Sequence, residues 1–260
     1  MTAPPRAPRA NDTLPDGFNP HGPLTQVAQT LLDGLARRHR HSVLGVETLP
    51  PGAFLLVVNH SLATYDILML GHHLYERTGR FPRGLGDKRL FQVPVLSQLV
   101  TYFGGVRASH DAADGLLMDG HIVIVAPGGM SEALRPSDER YRVRWDDRKG
   151  FVRLAIRMGV PMVLAACPRA DDLYDVQGSE LTRSLYDRFH IPVPFLRGEG
   201  GGLRPRAIRL VHALSEPIHP PAVEERADLE PLVEPLHSLV MARMNELMQS
   251  ALDFEARDSA

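Results

Sequence analysis

An apolar run from Phe54 to Val58 ends in Asn59-His60-Ser61-Leu62-Ala63-Thr64-Tyr65-Asp66. A histidine followed closely by a carboxylate is the pairing that general-base chemistry needs. A neutral imidazole takes a proton near neutral pH, and a carboxylate fixes its tautomer and steadies the imidazolium that forms. The apolar run reads as a buried strand, which puts His60 in the loop at its carboxyl end, where ligand sites of parallel sheets lie. Thr64 is placed to cap the helix that follows, and Asp66 falls in its first turn, where the helix dipole favours a carboxylate. The expectation is that Asp66 accepts a hydrogen bond from one ring nitrogen of His60. The other nitrogen is then left to deprotonate a substrate hydroxyl.

A second cluster lies in GGVRASHDAADGLLMDGHIVIVAPGGMSEALR, residues 104–135. A loop carrying Arg107 and Ser109 leads through a short helix to a buried strand, IVIVA, and then to Pro127-Gly128-Gly129. Two glycines between a strand and a helix let main-chain N–H groups approach an anion or a developing oxyanion. Ser131 and Glu132 stand at the start of that helix. Gly129-Met130-Ser131-Glu132-Ala133 also reads as a degenerate nucleophile elbow, G-x-S-x-A, of a serine hydrolase. In that rival reading His212 or His219 supplies the base, and His60 and Asp66 are left without a role. A lipid-binding module without turnover is the third reading, but it has no need of a His60/Asp66 base.

The elements that must position these residues alternate. Strands are predicted at 54–58, near Leu85, at 122–126, at 161–166 and at 207–214, with helices over about 65–76, 93–103 and 150–158 between them. That alternation predicts an α/β fold with a mainly parallel central sheet flanked by helices. Residues 24–38 carry Leu24, Val27, Ala28, Leu31, Leu32 and Leu35 at helical spacing. This N-terminal helix can pack on the core or lie on a bilayer, and its weakly basic polar face favours packing. LRGEGGGLRPR (196–206) reads as a flexible loop. A C-terminal amphipathic helix holds Leu236, Leu239, Val240, Met244, Leu247, Met248 and Leu252 in register. The expected organisation is a disordered or loosely wrapped tail over 1–23, where six of the 22 prolines fall, one domain over 24–252, and a frayed end over 253–260.

Composition narrows the function. The 260 residues carry a formal charge of −2, which gives no support to nucleic-acid binding. No apolar run reaches the eighteen residues of a membrane span, and MTAPPRAPRA lacks the core of a secretory signal. With a single cysteine, Cys167, no intramolecular disulfide framework exists. A cytoplasmic protein is expected, with any membrane contact peripheral on the cytosolic face. Only Lys88 and Lys149 of the 29 basic residues are lysines. Eight basic residues crowd 135–157: Arg135, Arg140, Arg142, Arg144, Arg148, Lys149, Arg153 and Arg157. This segment can meet anionic lipid head groups or a carrier protein, or be solvated as mixed charge.

Taken in order, these segments resemble the glycerolipid acyltransferase superfamily of the lysophosphatidic acid acyltransferase type. Asn59, His60 and Asp66 match its first motif, with five residues rather than the commoner four between His60 and Asp66. That spacing is similar to the neutral-lipid subgroup of plant phytyl ester synthases and a human membrane-anchored relative. GGVRAS (104–109), APGGMSEALR (126–135) with Tyr141 and Trp145, KGFVRLAIRMGVPMV (149–163) and RLVHALSEPI (209–218) resemble further blocks of that subgroup. The resemblance covers about residues 40–220.

The resemblance implies O-acyl transfer from acyl-CoA or acyl-carrier protein to a lipid or alcohol hydroxyl. His60 would be the base and Asp66 its partner. Asn59, Arg107, Gly128, Gly129, Glu132 and Arg135 are the expected substrate-binding residues, with Arg107 and Arg135 placed for a phosphate of donor or acceptor. No metal and no resident cofactor are expected. Phosphate-acceptor members carry Glu-Gly-Thr where this chain has Gly128-Gly129-Met130-Ser131-Glu132, which points to a neutral hydroxyl acceptor.

Overall fold

The computed structural model describes residues 14–15, 17–177, 195–223 and 228–257. Its strands are β1 (Ser42–Leu44), β2 (Phe54–Val58), β3 (Arg83–Gly86), β4 (Gly105–Arg107), β5 (Ile122–Val125), β6 (Met162–Ala166), β7 (Asp175–Gln177), β8 (Phe195–Arg197) and β9 (Val211–Leu214). Its α-helices are α1 (Pro23–Arg38), α2 (Tyr65–Thr78), α3 (Pro94–Tyr102), α4 (His110–Met118), α5 (Gly129–Ala133), α6 (Gly150–Met158) and α7 (Glu230–Arg257).

Seven strands form one sheet in the order β1-β9-β6-β2-β5-β3-β4. The run from β6 to β4 is parallel, as the strand–helix alternation requires. β9 pairs antiparallel with β6 and parallel with β1, so those two strands run the other way. β7 and β8 make a separate antiparallel pair. β2 sits at the centre because its five residues are apolar and both faces can be covered. Leu55 and Val57 face a core with Trp145, Val152, Ala155, Val240 and Met244. Phe54, Leu56 and Val58 face the opposite core with Leu70, Leu74 and Val163. Fully burying such a side chain contributes roughly 1.5–3 kcal/mol.

Several local expectations need correction. The apolar face of α1 divides: Leu32 and Leu35 pack on the core, while Leu24, Val27 and Leu31 are exposed. GGVR, expected as loop, supplies the edge strand β4, and Ser109 caps α4 by accepting the N–H of Ala112 at 3.1 Å. The strand expected over 207–214 is confined to Val211–Leu214, because the chain before it serves His39. The carbonyl of Ile208 takes the His39 ring at 2.8 Å, and the Leu210 N–H donates to the His39 carbonyl. Part of the 196–206 loop belongs to β8. α7 continues through Arg257, past the expected end at Leu252, because the buried Glu255 carboxylate accepts the N–H of Val211 at 3.1 Å.

Most of the expected N-terminal tail, residues 1–13 and 16, lies outside the described residues. Phe18 stacks on Phe81 and Tyr102 at centroid separations of 4.8 and 5.3 Å, and Thr25 hydrogen-bonds the Tyr102 hydroxyl at 2.8 Å.

Candidate active site

β6, β2 and β5 are neighbours running the same way, so the segments leaving their carboxyl ends share one rim of the sheet. Asn59 and His60 leave β2, Gly128 to Glu132 follow β5, and Cys167 to Asp171 follow β6. Topology therefore brings together segments more than a hundred residues apart.

Asn59 is buried, and its amide makes one donated and one accepted main-chain hydrogen bond. Its Nδ2 donates to the Cys167 carbonyl at 3.2 Å, and its Oδ1 accepts the Cys167 N–H at 2.8 Å. This side chain replaces a missing rung between β2 and β6 and holds the His60 loop to the sheet. Asn59, expected to meet substrate, is found here bonded to main chain.

The ring of His60 points its Nδ1 at the Ser61 carbonyl, 2.8 Å away. A carbonyl only accepts, so Nδ1 carries the proton and Nε2 keeps its lone pair. Burial lowers the pKa of His60, the Ser61 carbonyl opposes that effect, and the nearby Arg135 charge reinforces it. The imidazole is therefore neutral at physiological pH.

Asp66 does not take the His60 ring as expected. Its Oδ1 accepts the Ser61 hydroxyl at 2.8 Å, while its Oδ2 is buried without a hydrogen bond. The reason is the local turn. Thr64 stands in the left-handed region with φ 59° and gives no side-chain cap, contrary to expectation. Its N–H instead meets Ser61 Oγ at 3.4 Å, so the loop folds around Ser61, which comes between the histidine and the carboxylate. Burial pushes the pKa of Asp66 up to about 6.

Glu132 is buried under the same rim. Trp145 Nε1 donates to its Oε2 at 3.1 Å, and the Arg135 guanidinium is 3.6 Å from its Oε1. Burial pushes its pKa up to about 7, against the opposing pull of Arg135 and of the main-chain N–H of His60. Gly129, at φ +50°, makes the turn that starts α5. Its N–H donates to the Ala126 carbonyl at 3.1 Å and is not available to an oxyanion.

The two expected phosphate contacts separate. Arg135 is buried and grips Asp171 with both carboxylate oxygens 2.6 Å from Nη2, so it serves a structural ion pair. Arg107 is exposed at the carboxyl end of β4, on the same rim as His60 but at the sheet edge. The basic segment 135–157 is mostly neutralised. Arg140 meets Asp175, Arg144 meets Glu139, Lys149 meets Glu234, Arg153 meets Glu230 and Arg157 meets Asp114. Arg148 donates to the carbonyls of Pro127 and Gly128.

The nucleophile-elbow geometry is not found. The positive φ falls on Gly129, two residues before Ser131, and Ser131 lies inside α5. Among the described residues no histidine bonds Ser131. His212 is buried and bonded to His41, and His219 is exposed.

Sequence reasoning missed Ser61, Asp171 and His41. Ser61 stood inside the first motif and was legible there as the residue next to His60. Asp171 and His41 carry no local signal, since only the fold brings them to the rim.

Residues 40–167 match the model of the Acyltransferase family. A mouse protein named "DGAT1/2-independent enzyme synthesizing storage lipids" is 31% identical over 169 residues, covering 64% of this chain and 51% of its own length. The human protein of that name is 31% identical over 170 residues, covering 64% and 52%. An uncharacterised protein of Mycobacterium tuberculosis is 29% identical over 209 residues, covering 78% and 58%. The chain thus spans about half the length of the curated relatives it matches. The crystal structure of the 1-acyl-sn-glycerophosphate (LPA) acyltransferase PlsC from Thermotoga maritima shares the fold. Its TM-score is 0.51 at 18% identity, over 85% of this chain and 81% of that one.

Proposed function

We propose that this chain, whose residues 40–167 match the model of the Acyltransferase family, is an acyltransferase that moves a fatty acyl group from a thioester to a lipid or alcohol hydroxyl. The donor is acyl-CoA or an acyl-carrier protein. The observation that carries the reading is the His60 ring, held by Ser61 with a free lone pair on Nε2 at the rim where β2, β5 and β6 end.

In this reading His60 Nε2 takes the proton of the acceptor hydroxyl as its oxygen adds to the thioester carbonyl carbon. Collapse of the tetrahedral adduct breaks the C–S bond, and the imidazolium returns the proton to the leaving thiolate. General-base assistance of this kind contributes about 10²–10⁴-fold. Asp66 steadies the imidazolium at one remove, through Ser61. The Gly128 N–H is the donor we assign to the oxyanion, since that of Gly129 is engaged. Removing one such donor in other enzymes costs about 10²–10³-fold.

The acceptor we assign is a neutral hydroxyl, such as a partial glyceride or a long-chain alcohol. Arg135 supports this choice, because the guanidinium that would clamp an acceptor phosphate is closed onto Asp171. Arg107 is left for the phosphates of a CoA donor. The storage-lipid synthesis named for the mammalian relatives agrees with a neutral acceptor.

Such an acceptor resides in a membrane. Among the described residues no helix is long and apolar enough to cross one. Leu24, Val27 and Leu31 on α1 and Val95, Leu96 and Leu99 on α3 are nevertheless exposed. Thr25 and Tyr102 tie the two helices together. We assign this apolar surface to peripheral contact with the cytosolic face of a bilayer.

The test is transfer from labelled acyl-CoA to vesicles carrying monoacylglycerol, diacylglycerol, a long-chain alcohol or lysophosphatidic acid. Product with a neutral acceptor, lost in His60→Ala and kept in Ser131→Ala, is the expected result. Product that survives His60→Ala would overturn the reading.

A further inference from the structure

Two histidines that the acyl-transfer chemistry does not use lie directly behind Asp66. His212 on β9 places its Nε2 4.0 Å from the unpartnered Asp66 Oδ2, and both side chains are almost wholly buried. The other ring nitrogen of His212 is 2.9 Å from Nε2 of His41, just before β1. The register of β1 on β9 sets this pairing, with Val43 opposite His212. The reversed direction of these two strands carries the pair beneath the first turn of α2.

We propose that His212 is a positioning residue for Asp66, presenting its Nε2 proton to Oδ2, and that His41 selects this tautomer by donating its own Nε2 proton to His212 Nδ1. The proton inventory follows from the geometry. A carboxylate oxygen repels a lone pair, so the nitrogen facing Oδ2 must carry the proton. Neutral His212 then has a lone pair on Nδ1, and the hydrogen bond to His41 exists only if His41 Nε2 is the donor. At 4.0 Å the Nε2–Oδ2 contact is a charge–dipole attraction rather than a formed hydrogen bond.

Both oxygens of Asp66 are then accounted for: Ser61 holds one and His212 faces the other. The carboxylate plane, and with it the Ser61 loop that anchors the His60 ring, is fixed from two sides.

The surroundings agree. Burial and the neighbouring rings of His41 and His73 lower the pKa of His212, so it stays neutral. Burial with His73 and His39 lowers His41 to about 4. The other ionisable groups facing Asp66 are Cys167, Asp171 and Tyr65. The Cys167 thiol is raised well above its ordinary range by burial and remains protonated. The Sγ of Cys167, the His212 nitrogen and the Asp66 oxygen lie within 4.8 Å of one another. The opposite tautomer, with the proton on His212 Nδ1, would require Asp66 itself to be protonated.

The proposal rests on the acyl-transfer reading only for its kinetic arm. Its first test needs no substrate. Protein labelled with ¹⁵N-histidine is examined at pH 7.5 by long-range ¹H–¹⁵N correlation, with His212→Gln and His41→Gln assigning the signals. The Nε2–H pattern on both rings is expected, and an Nδ1–H pattern or a charged ring on His212 would overturn the proposal. Metal bound stoichiometrically and lost on replacing Cys167 would overturn it as well. In the kinetic arm His212→Gln keeps an N–H near Nε2 and His212→Leu does not. The expected loss of kcat is about tenfold in the leucine variant, the worth of one polar contact to a charge, with KM unchanged and glutamine recovering most of it. Equal losses in both variants would overturn the positioning role. A wild-type protein without transferase activity would sink the acyl-transfer reading alone and leave the tautomer measurement to decide.

Discussion

Glu132 lies directly over Gly128: a β-carbon on Gly128 would fall 1.7 Å from Glu132 Oε2 and 2.4 Å from its Cβ. The glycine is there to let a buried carboxylate lie against the main chain. Gly128→Ala must push the Glu132 side chain off Trp145 and disturb the assigned oxyanion donor. Overpacking of this kind costs about 1–3 kcal/mol. Expected is a fall in Tm of several degrees, together with a loss of kcat larger than the stability change explains.

Ser61→Ala leaves the His60–Ser61 carbonyl bond intact, since that contact is main chain, and removes only the hydroxyl held by Asp66. The buried carboxylate oxygen then lacks its donor, a cost of about 1–3 kcal/mol. The hydroxyl lowers the Asp66 pKa, so its loss raises that pKa further above about 6. The acid limb of kcat/KM against pH is expected to move to higher pH in Ser61→Ala. An unmoved limb would show that Asp66 does not act on His60 through Ser61.

Glu132 makes the fold sensitive to pH in a direction opposite to ordinary carboxylates. Burial raises its pKa from 4.5 to about 7 in the native state. Between those values the native protein holds a proton that the unfolded chain has released, so stability falls as pH rises through the window. Glu132→Gln removes the effect. The unfolding free energy of the wild type relative to this variant is expected to fall by on the order of 3 kcal/mol from pH 4 to pH 8, measured by urea titration.

The Arg135–Asp171 pair joins the segment after β5 to that after β6. Asp171→Asn removes the shorter of the two carboxylate contacts of Arg135 and leaves only Glu132 at 3.6 Å, and breaking a buried pair costs at most about 3–5 kcal/mol. The double replacement Arg135→Met with Asp171→Leu is expected to be milder than the single change. A double variant less stable than Asp171→Asn would contradict the structural role given to Arg135.

Arg107→Ala tests the donor. With its guanidinium exposed at the end of β4, the expected effect is a higher KM for acyl-CoA and none for an acyl thioester lacking phosphates. Contact with one exposed phosphate is worth at most about 1 kcal/mol, or about fivefold in KM.

Much of this was legible in the sequence where the signal is local. The runs expected at 54–58, 122–126 and 161–166 are apolar and bounded, so their strands could be read, but not their order in the sheet. β1 and β4 have three residues each, too few for a period to emerge. The segment 207–214 is mostly apolar, but Ile208 and Leu210 turn their main chain to His39, a partner 169 residues earlier for the Ile208 carbonyl. The types of His60, Asp66 and Glu132 marked the rim they share. What the types could not announce was an interposed neighbour. Ser61 has a hydroxyl that reaches Asp66 and a carbonyl that reaches His60, and only the left-handed turn at Thr64 decides that it does both. Arg135 misled for the same reason, because its partner Asp171 arrives on another strand's exit.

The tie between Thr25 and Tyr102 has a bearing on how the molecule is completed. The two residues are 77 positions apart, and Phe18 stacks on the same tyrosine and on Phe81. The first described helix therefore finds its final neighbours only after the chain has run out to the far edge of the sheet. Removing residues 1–25 would unclasp α3 and strip the support from β4, the strand that ends in Arg107. Trimming the front of the chain is thus a lesion at the β4 border of the sheet, whose anchor Tyr102 stands 77 positions after Thr25.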